Sequence, residues 1–264
     1  MNDRVSIAIA DGIADVRLNR PDKMNALDPA MFTGIAEAGA TLGAAAGVRV
    51  VVLSGAGRAF CAGLDMGSFT GLASGGSGSL EGRSHGDANL FQHVAWLWRQ
   101  LPVPVIAAVH GVAFGGGFQI MLGADVRIAA PDTKLSIMEI KWGLVPDMAG
   151  IALTRGLMRD DVLRELTFTG RVFSAAEGAG YGCVTRVDPE PLAAAMTLAR
   201  EIAGKSPDAV RGAKRLYNQA LETDAAALLR SESREQKALI GTPNQMEAVM
   251  ANIEKRAPAF RDPA

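Results

Sequence analysis

Residues 111–125 read GVAFGGGFQIMLGAD, and three consecutive glycines, Gly115 to Gly117, head a segment with helical character. Glycine is a poor helix former and loses the most backbone entropy on ordering, so a run of three needs a reason. The first peptide N–H groups of a helix have no intrahelical acceptor and lie at the positive end of its dipole. With side chains absent, a ligand oxygen can approach them to hydrogen-bond distance. The plain alternative is close packing of helix on strand. Phosphate binding fits less well, because no Lys-Ser/Thr follows Gly117 and the glycine spacing is not that of a dinucleotide fingerprint.

The flanks extend the pattern. "VPVIAAVHG" (103–111) is a continuous apolar run that predicts a buried strand delivering the chain to the glycines. Upstream, "VRVVVLSGAGRAFCAGLDM" (48–66) repeats the layout, a strand leading to Gly63-Leu64. Two N–H groups aimed at one point would stabilise an oxyanion, and deleting one such donor typically costs about 3–4 kcal/mol of barrier.

The rest of the chain predicts mixed strand and helix to residue 146 and mostly helix beyond. "VSIAIADGIADVRLNR" (5–20) alternates on both sides of Asp11-Gly12, a hairpin pattern. Asp28-Pro29, Ser206-Pro207 and Thr242-Pro243 are cap-plus-proline helix starts. Residues 89–100 predict a helix, "DVRIAA" (125–130) and "KLSIM" (134–138) predict strands, and the Gly/Ser-rich stretch 67–88 predicts a mobile surface loop.

The 264 residues carry 27 Lys+Arg against 28 Asp+Glu, a net charge of −1 without the basic excess of a nucleic-acid binder. No apolar run reaches the roughly 18 residues of a membrane span. Cys61 and Cys183 form neither a CxxC pair nor metal-ligand spacing, which points to reduced thiols, a cytoplasmic setting and no bound metal.

On "RPDKMNALD" (20–28), "GAGRAFCAGLDM" (55–66), "PVIAAVHGVAFGGGFQIMLGADVRIAA" (104–130), "MEIKWGLVPD" (138–147), "TGRVFSAAEGAGYGCVTRV" (169–187) and "IEKRAPAF" (253–260), the sequence resembles the crotonase, or enoyl-CoA hydratase/isomerase, family. The resemblance implies an α/β fold, a crotonase-like spiral of strand-strand-helix units over 1–200, with a helical trimerisation or lid region over 201–264. It implies an acyl-coenzyme A thioester substrate whose carbonyl oxygen lies between two backbone N–H groups, here those of Leu64 and Gly116, with Gly115 alongside. On this view the glycines keep side chains away so that backbone can reach that oxygen. No separate cofactor is implied, since coenzyme A enters with the substrate.

The acid–base groups depart from the hydratase pattern. Of the two hydratase glutamates one matches Glu139, but Gln119 stands where the other would be. An amide can position a group but cannot take a proton. Asp147 stands eight residues after Glu139, and this spacing resembles that of the dienoyl-CoA isomerases, in which two carboxylates flank the acyl chain. Those enzymes also place an Asp where Gln119 stands, so the match is partial. Two carboxylates moving a proton between distant carbons need separated pKa values, and Met138, Trp142, Leu144 and Met148 are apolar neighbours that could raise one. The alternatives are a helix N-cap for Asp147, an ion pair with Lys141 or an arginine for Glu139, and a backbone contact for Gln119.

Of the histidines, His85 is expected to be solvated in the loop and His110 to lack a proton-transfer role. Trp96 and Trp98 are read as packing. The resemblance also places coenzyme A along Lys23, Ala26 and Leu27, with Arg58, Ala62 and Asp65 beside the oxyanion donors and Lys255, Arg256 and Arg261 as candidate phosphate contacts. It implies a homotrimer or dimer of trimers, for which Leu228, Leu229 and Ile240 could supply apolar surface.

The expected function is double-bond isomerisation of an unsaturated acyl-CoA by a carboxylate shuttle. The alternatives are hydration of a trans-2-enoyl-CoA by Glu139 and a non-catalytic acyl-CoA binder. A hydrolase would need a nucleophile near Gly116, and Phe114 and Phe118 offer none.

Overall fold

The computed structural model describes residues 3–65, 67 and 80–262. The loop expected over 67–88 lies, for residues 68–79, outside the described residues, as does Met66. The hairpin forms as the alternation predicts, β1 (Val5–Ala10) pairing antiparallel with β2 (Ile13–Leu18). From β2 the main sheet grows by parallel pairing through β3 (Val50–Gly55), β4 (Val105–Val109), β6 (Val126–Ala129) and β9 (Arg186–Val187). Successive residues of β3 face opposite sides. Val51 and Leu53 enter the core shared with α1 (Pro29–Ala44) and α2 (Leu90–Gln100), while Val50 and Val52 meet α7 (Pro191–Ala203). Ala195 and Ala199 give α7 a flat face, so it lies close on the sheet.

A second layer runs beside the first. The bridge Leu27–Leu64, the bridge Cys61–Ala113, and β5 (Val112–Phe114) paired with β7 (Lys134–Ser136) and then β8 (Phe173–Ser174) put one short extended segment from each turn next to that of its neighbour. This is the expected spiral of strand-strand-helix units. Strands β8 and β9 lie in the part of the chain expected to be mostly helical; two residues are too few to show a period.

Of the marked cap-plus-proline starts, Asp28 Oδ1 accepts from Met31 N–H at 2.8 Å and Thr242 Oγ1 from Gln245 N–H at 3.3 Å, whereas Ser206 begins its helix with no side-chain cap. Asn89 and Gln92 add a capping box that is not among those starts. Chain order continues through α3 (Gly116–Leu122), α4 (Gly150–Thr154), α5 (Asp160–Thr169) and α6 (Ala175–Tyr181). Beyond α7 come α8 (Pro207–Ala220), α9 (Ala225–Leu239) and α10 (Pro243–Glu254). Lys214 of α8 is buried and donates to Trp98 O, Val103 O and Asp125 Oδ2 at 3.0, 2.9 and 2.7 Å, which ties this region to the core. Both cysteines are buried free thiols, and burial pushes each up to about 12, so neither is a ready nucleophile. Among the described residues no helix is long and apolar enough to cross a membrane.

Candidate active site

The segment 20–27 is the floor of the site. Met24 and Asn25 both take left-handed backbone, with φ of 51° and 56°, an unfavourable choice for two successive residues with side chains. Asn25 compensates. Its Nδ2 donates to Ala56 O, Ala59 O and Phe60 O at 2.9, 2.8 and 3.2 Å, and its Oδ1 accepts the Arg20 N–H at 2.8 Å. Asn25→Ala would leave these buried groups unpaired, and we expect a loss of about 2–3 kcal/mol, read as a lower melting temperature in calorimetry.

The loop so held carries Leu27, whose N–H donates to Gly63 O at 2.8 Å and whose carbonyl accepts the Asp65 N–H at 3.0 Å. In such a parallel bridge the flanking residues point toward Leu27 and the N–H of Leu64 points away. On the far side Cys61 pairs with Val112 and Phe114, which leads the second strand to Gly116, first residue of α3. Neither the Leu64 nor the Gly116 N–H meets an acceptor among the described residues. Gly63 lies between them: with φ of +87°, a Cβ there would sit 2.6 Å from Phe114 O and 3.7 Å from Gly116 N.

The three glycines have separate reasons, which corrects the expectation that all three serve to clear a path for ligand. Gly115 supplies a turn with φ of +49° and ψ of −118° that only glycine adopts readily. A Cβ on Gly116 would fall 2.6 Å from Met148 Sδ and 2.8 Å from Leu27 Cδ1, and one on Gly117 would strike Cys61 O and lie 2.7 Å from Cys61 Cβ. Gly116 and Gly117 are therefore bare because protein atoms occupy the space, which lets α3 pack closely on the 61–64 segment.

Glu139 opens a 3-10 turn, Glu139–Trp142, beside Gly115, where a Cβ would lie 3.4 Å from Glu139 Oε1. It makes no ion pair with Lys141 or an arginine among the described residues. Instead its Oε1 accepts from Gln119 Nε2 at 2.6 Å, and its Oε2 is buried with no partner among the described residues. Burial pushes the Glu139 carboxyl above its usual range, the Gln119 hydrogen bond opposes that rise, and the charge of Asp147 adds to it. Gln119 is itself buried, and its Oε1 accepts the Met148 and Gly150 N–H groups, each at 2.9 Å. It thus serves the α4 entry, and Asp147 does not: the N-cap is Ala149 in left-handed conformation, with no side-chain cap. Asp147 reaches the surface at the rim, and partial burial pushes its carboxyl up. Of its apolar neighbours Met148 is buried, but Trp142 and Leu144 are 44% and 45% exposed and form an open rim rather than a closed wall.

The remaining candidates split. Ala26 and Leu27 are buried beside Ala62, whose N–H donates to Met24 O at 2.9 Å. Lys23 and Arg58 are exposed cations near the same loop. Asp65 faces Arg20, which holds its carboxyl below the usual range, and its Oδ1 accepts the Gly67 N–H at 2.9 Å. Its charge is thus spent on fixing the backbone next to Leu64. Arg20 and Asn25 were not singled out in the sequence; a polar residue inside an otherwise ordinary loop motif is their only signal. Arg256 is engaged by Glu247 and Glu254, so that candidate phosphate contact is already paired. His85, expected to be solvated, is half-buried and stacks on His93 at 4.2 Å, and burial pushes His93 down to about 4. His110 Nε2 lies 2.9 Å from Gly57 O, and Trp98 is core, its Nε1 donating to Val94 O.

Comparison with known proteins agrees with this architecture. The family model for enoyl-CoA hydratase/isomerase matches residues 8–263. A peroxisomal Delta(3,5)-Delta(2,4)-dienoyl-CoA isomerase of Arabidopsis thaliana is 32% identical over 251 residues, 92% of this chain and 90% of that one. A Mycobacterium bovis protein named "Probable enoyl-CoA hydratase echA8" is 34% identical over 251 residues, 93% of each. The crystal structure of an enoyl-CoA hydratase from Bacillus anthracis superposes with a TM-score of 0.88 at 30% identity, covering 97% of this chain and 98% of that one. With a family match from residue 8 to residue 263 and such relatives along more than nine-tenths of its length, the chain belongs to the enoyl-CoA hydratase/isomerase family.

Proposed function

We propose that the protein isomerises a double bond in an unsaturated acyl-CoA thioester. The N–H groups of Leu64 and Gly116 donate to the thioester oxygen and stabilise the enolate. Glu139 takes the acidified proton, and Asp147 exchanges one at the far end of the conjugated system. The observation that carries this reading is the placement of carboxylates: Asp147 lies close enough for its charge to raise Glu139, whereas the position beside Glu139 on α3 holds an amide, Gln119. Water addition is most readily arranged with two carboxylates around one water, and only one carboxylate is available on that side.

Coenzyme A lies along Lys23, Ala26 and Leu27, past Ala62 and Asp65, with the exposed Lys23 and Arg58 meeting its phosphates. The chemistry needs only these residues and the coenzyme carried in the substrate. Copies of the chain assemble as a trimer or paired trimers, and the exposed Leu229 and Ile240 supply apolar surface for that contact.

The test is a paired assay with a 3,5-dienoyl-CoA and a trans-2-enoyl-CoA. Wild type is expected to shift the absorbance of the dienoyl substrate, and Asp147→Asn to slow that reaction about 10²-fold or more. Hydration is the second reading, favoured by the unpartnered Glu139 Oε2, which could hold a water. Loss of enoyl absorbance alone, with Asp147→Asn at wild-type rate, would establish it and sink the isomerase.

A further inference from the structure

An amide that bridges two protein segments has a fixed polarity. Gln119 Oε1 spends both lone pairs on the Met148 and Gly150 N–H groups, each at 2.9 Å. Turning the amide over would set its NH2 against those two donors, so Nε2 must face Glu139 Oε1, 2.6 Å away. We infer that Gln119 is a positioning residue that decides which oxygen of Glu139 works: Oε1 is held as an acceptor, and Oε2 is the atom that takes and returns the proton. This rests on the reading of Glu139 as the base. A proton on Oε1 would point at an N–H donor and break the bridge. Oε2 is buried and has no partner among the described residues, so it is free to bond hydrogen.

The step balances. The substrate C–H bond breaks, its electron pair passes into the enolate, and the proton bonds to Oε2, leaving Glu139 neutral. One proton is shared by the carboxylate pair and starts on Asp147. The enolate C=O re-forms, its electron pair moves along the conjugated system to bond that proton at the far carbon, and Asp147 becomes ionised. Transfer of the Glu139 proton to Asp147 restores both. The bridge also couples the two groups mechanically, since the N–H groups that Gln119 holds, those of Met148 and Gly150, closely follow Asp147 in the chain.

The charged surroundings of Glu139 are simple. Asp147 is the titratable group whose charge reaches it. Lys141, on the same turn, lies over the Trp142 ring at 5.5 Å. On the packed helix α5, Asp160 pairs with Arg164, Asp161 with Arg159 and Glu165 with Arg171. Helix α3 carries no ionisable side chain.

Gln119→Glu separates positioning from folding. A carboxylate at 119 still accepts the Met148 and Gly150 N–H groups, but it turns an acceptor toward Oε1. The ionised form of Glu139 then loses a donor and gains a like charge, both of which raise its pKa. A base with a raised pKa loses activity at higher pH, so the acid limb of kcat/KM should move up by about one unit or more, and Gln119→Met should move it less. Carbon-13 titration of carboxyl-labelled glutamate, with Glu139 assigned by its absence in Glu139→Gln, should show the same shift without turnover. Acid limb and titration within about 0.3 unit of wild type in Gln119→Glu would overturn the inference. Full activity in Glu139→Gln would instead overturn the base assignment, and the carbon-13 shift would still judge the geometry.

Discussion

Glu139→Gln is expected to reduce turnover about 10³-fold, within the range that general acid–base groups contribute, while thioester binding changes little. The substitution removes proton acceptance and little else. A glutamine oxygen at 139 can still accept the Gln119 Nε2 hydrogen bond, so the local geometry should persist. The wild-type carboxylate is desolvated and one of its oxygens lacks a partner among the described residues, which makes it costly in the fold. The variant should therefore melt no lower than wild type, and a small rise fits a site that trades stability for chemistry. Acyl-CoA affinity by calorimetry, turnover on both substrates and thermal melting together check this. A variant that turns over at wild-type rate would remove Glu139 from the mechanism.

Gly63→Ala should damage rate and stability together. Its added Cβ would lie 2.6 Å from Phe114 O, a backbone atom that cannot swing aside, and the residue would have to hold φ near +87°. The segments at 61–65 and 112–116 must then part, which displaces the Leu64 and Gly116 N–H groups from each other. We expect kcat to fall about 10²–10³-fold, the effect of losing one oxyanion donor. Folding stability should fall by about 2–4 kcal/mol, from strain plus local overpacking. Stopped-flow kinetics and denaturant titration measure both. Wild-type kcat with the melting temperature lowered would mean that the two N–H groups do not act on the substrate.

Much of the fold was legible because its signals are local. Asp28-Pro29 and Thr242-Pro243 start helices with side-chain caps, and the apolar runs at 50–54 and 105–109 are buried strands. What the sequence left open depends on contacts between residues far apart. The helix-cap alternative for Asp147 stands until Gln119, some thirty residues earlier, is found accepting those N–H groups. Gly117 reads as an opening for ligand until Cys61 fills the space beside it. His85 sits in a stretch that reads as solvated loop, and only the fold brings His93 against its ring.

On the proposed reading the donors at Leu64 and Gly116 belong to the main chain, and this has a consequence for how the site can change over time. Leu64 presents its N–H because of its register against Leu27, so nearly any side chain at 64 leaves that donor in place. The information sits one position away, in Gly63, and in the bare Gly117 that lets helix and strand touch. Such a site is robust to drift at the residue that does the binding and brittle at its silent neighbours. If those donors activate the carbonyl as proposed, exposed rim residues such as Trp142 and Leu144 are free to change with the acyl group while carbonyl activation is inherited unchanged.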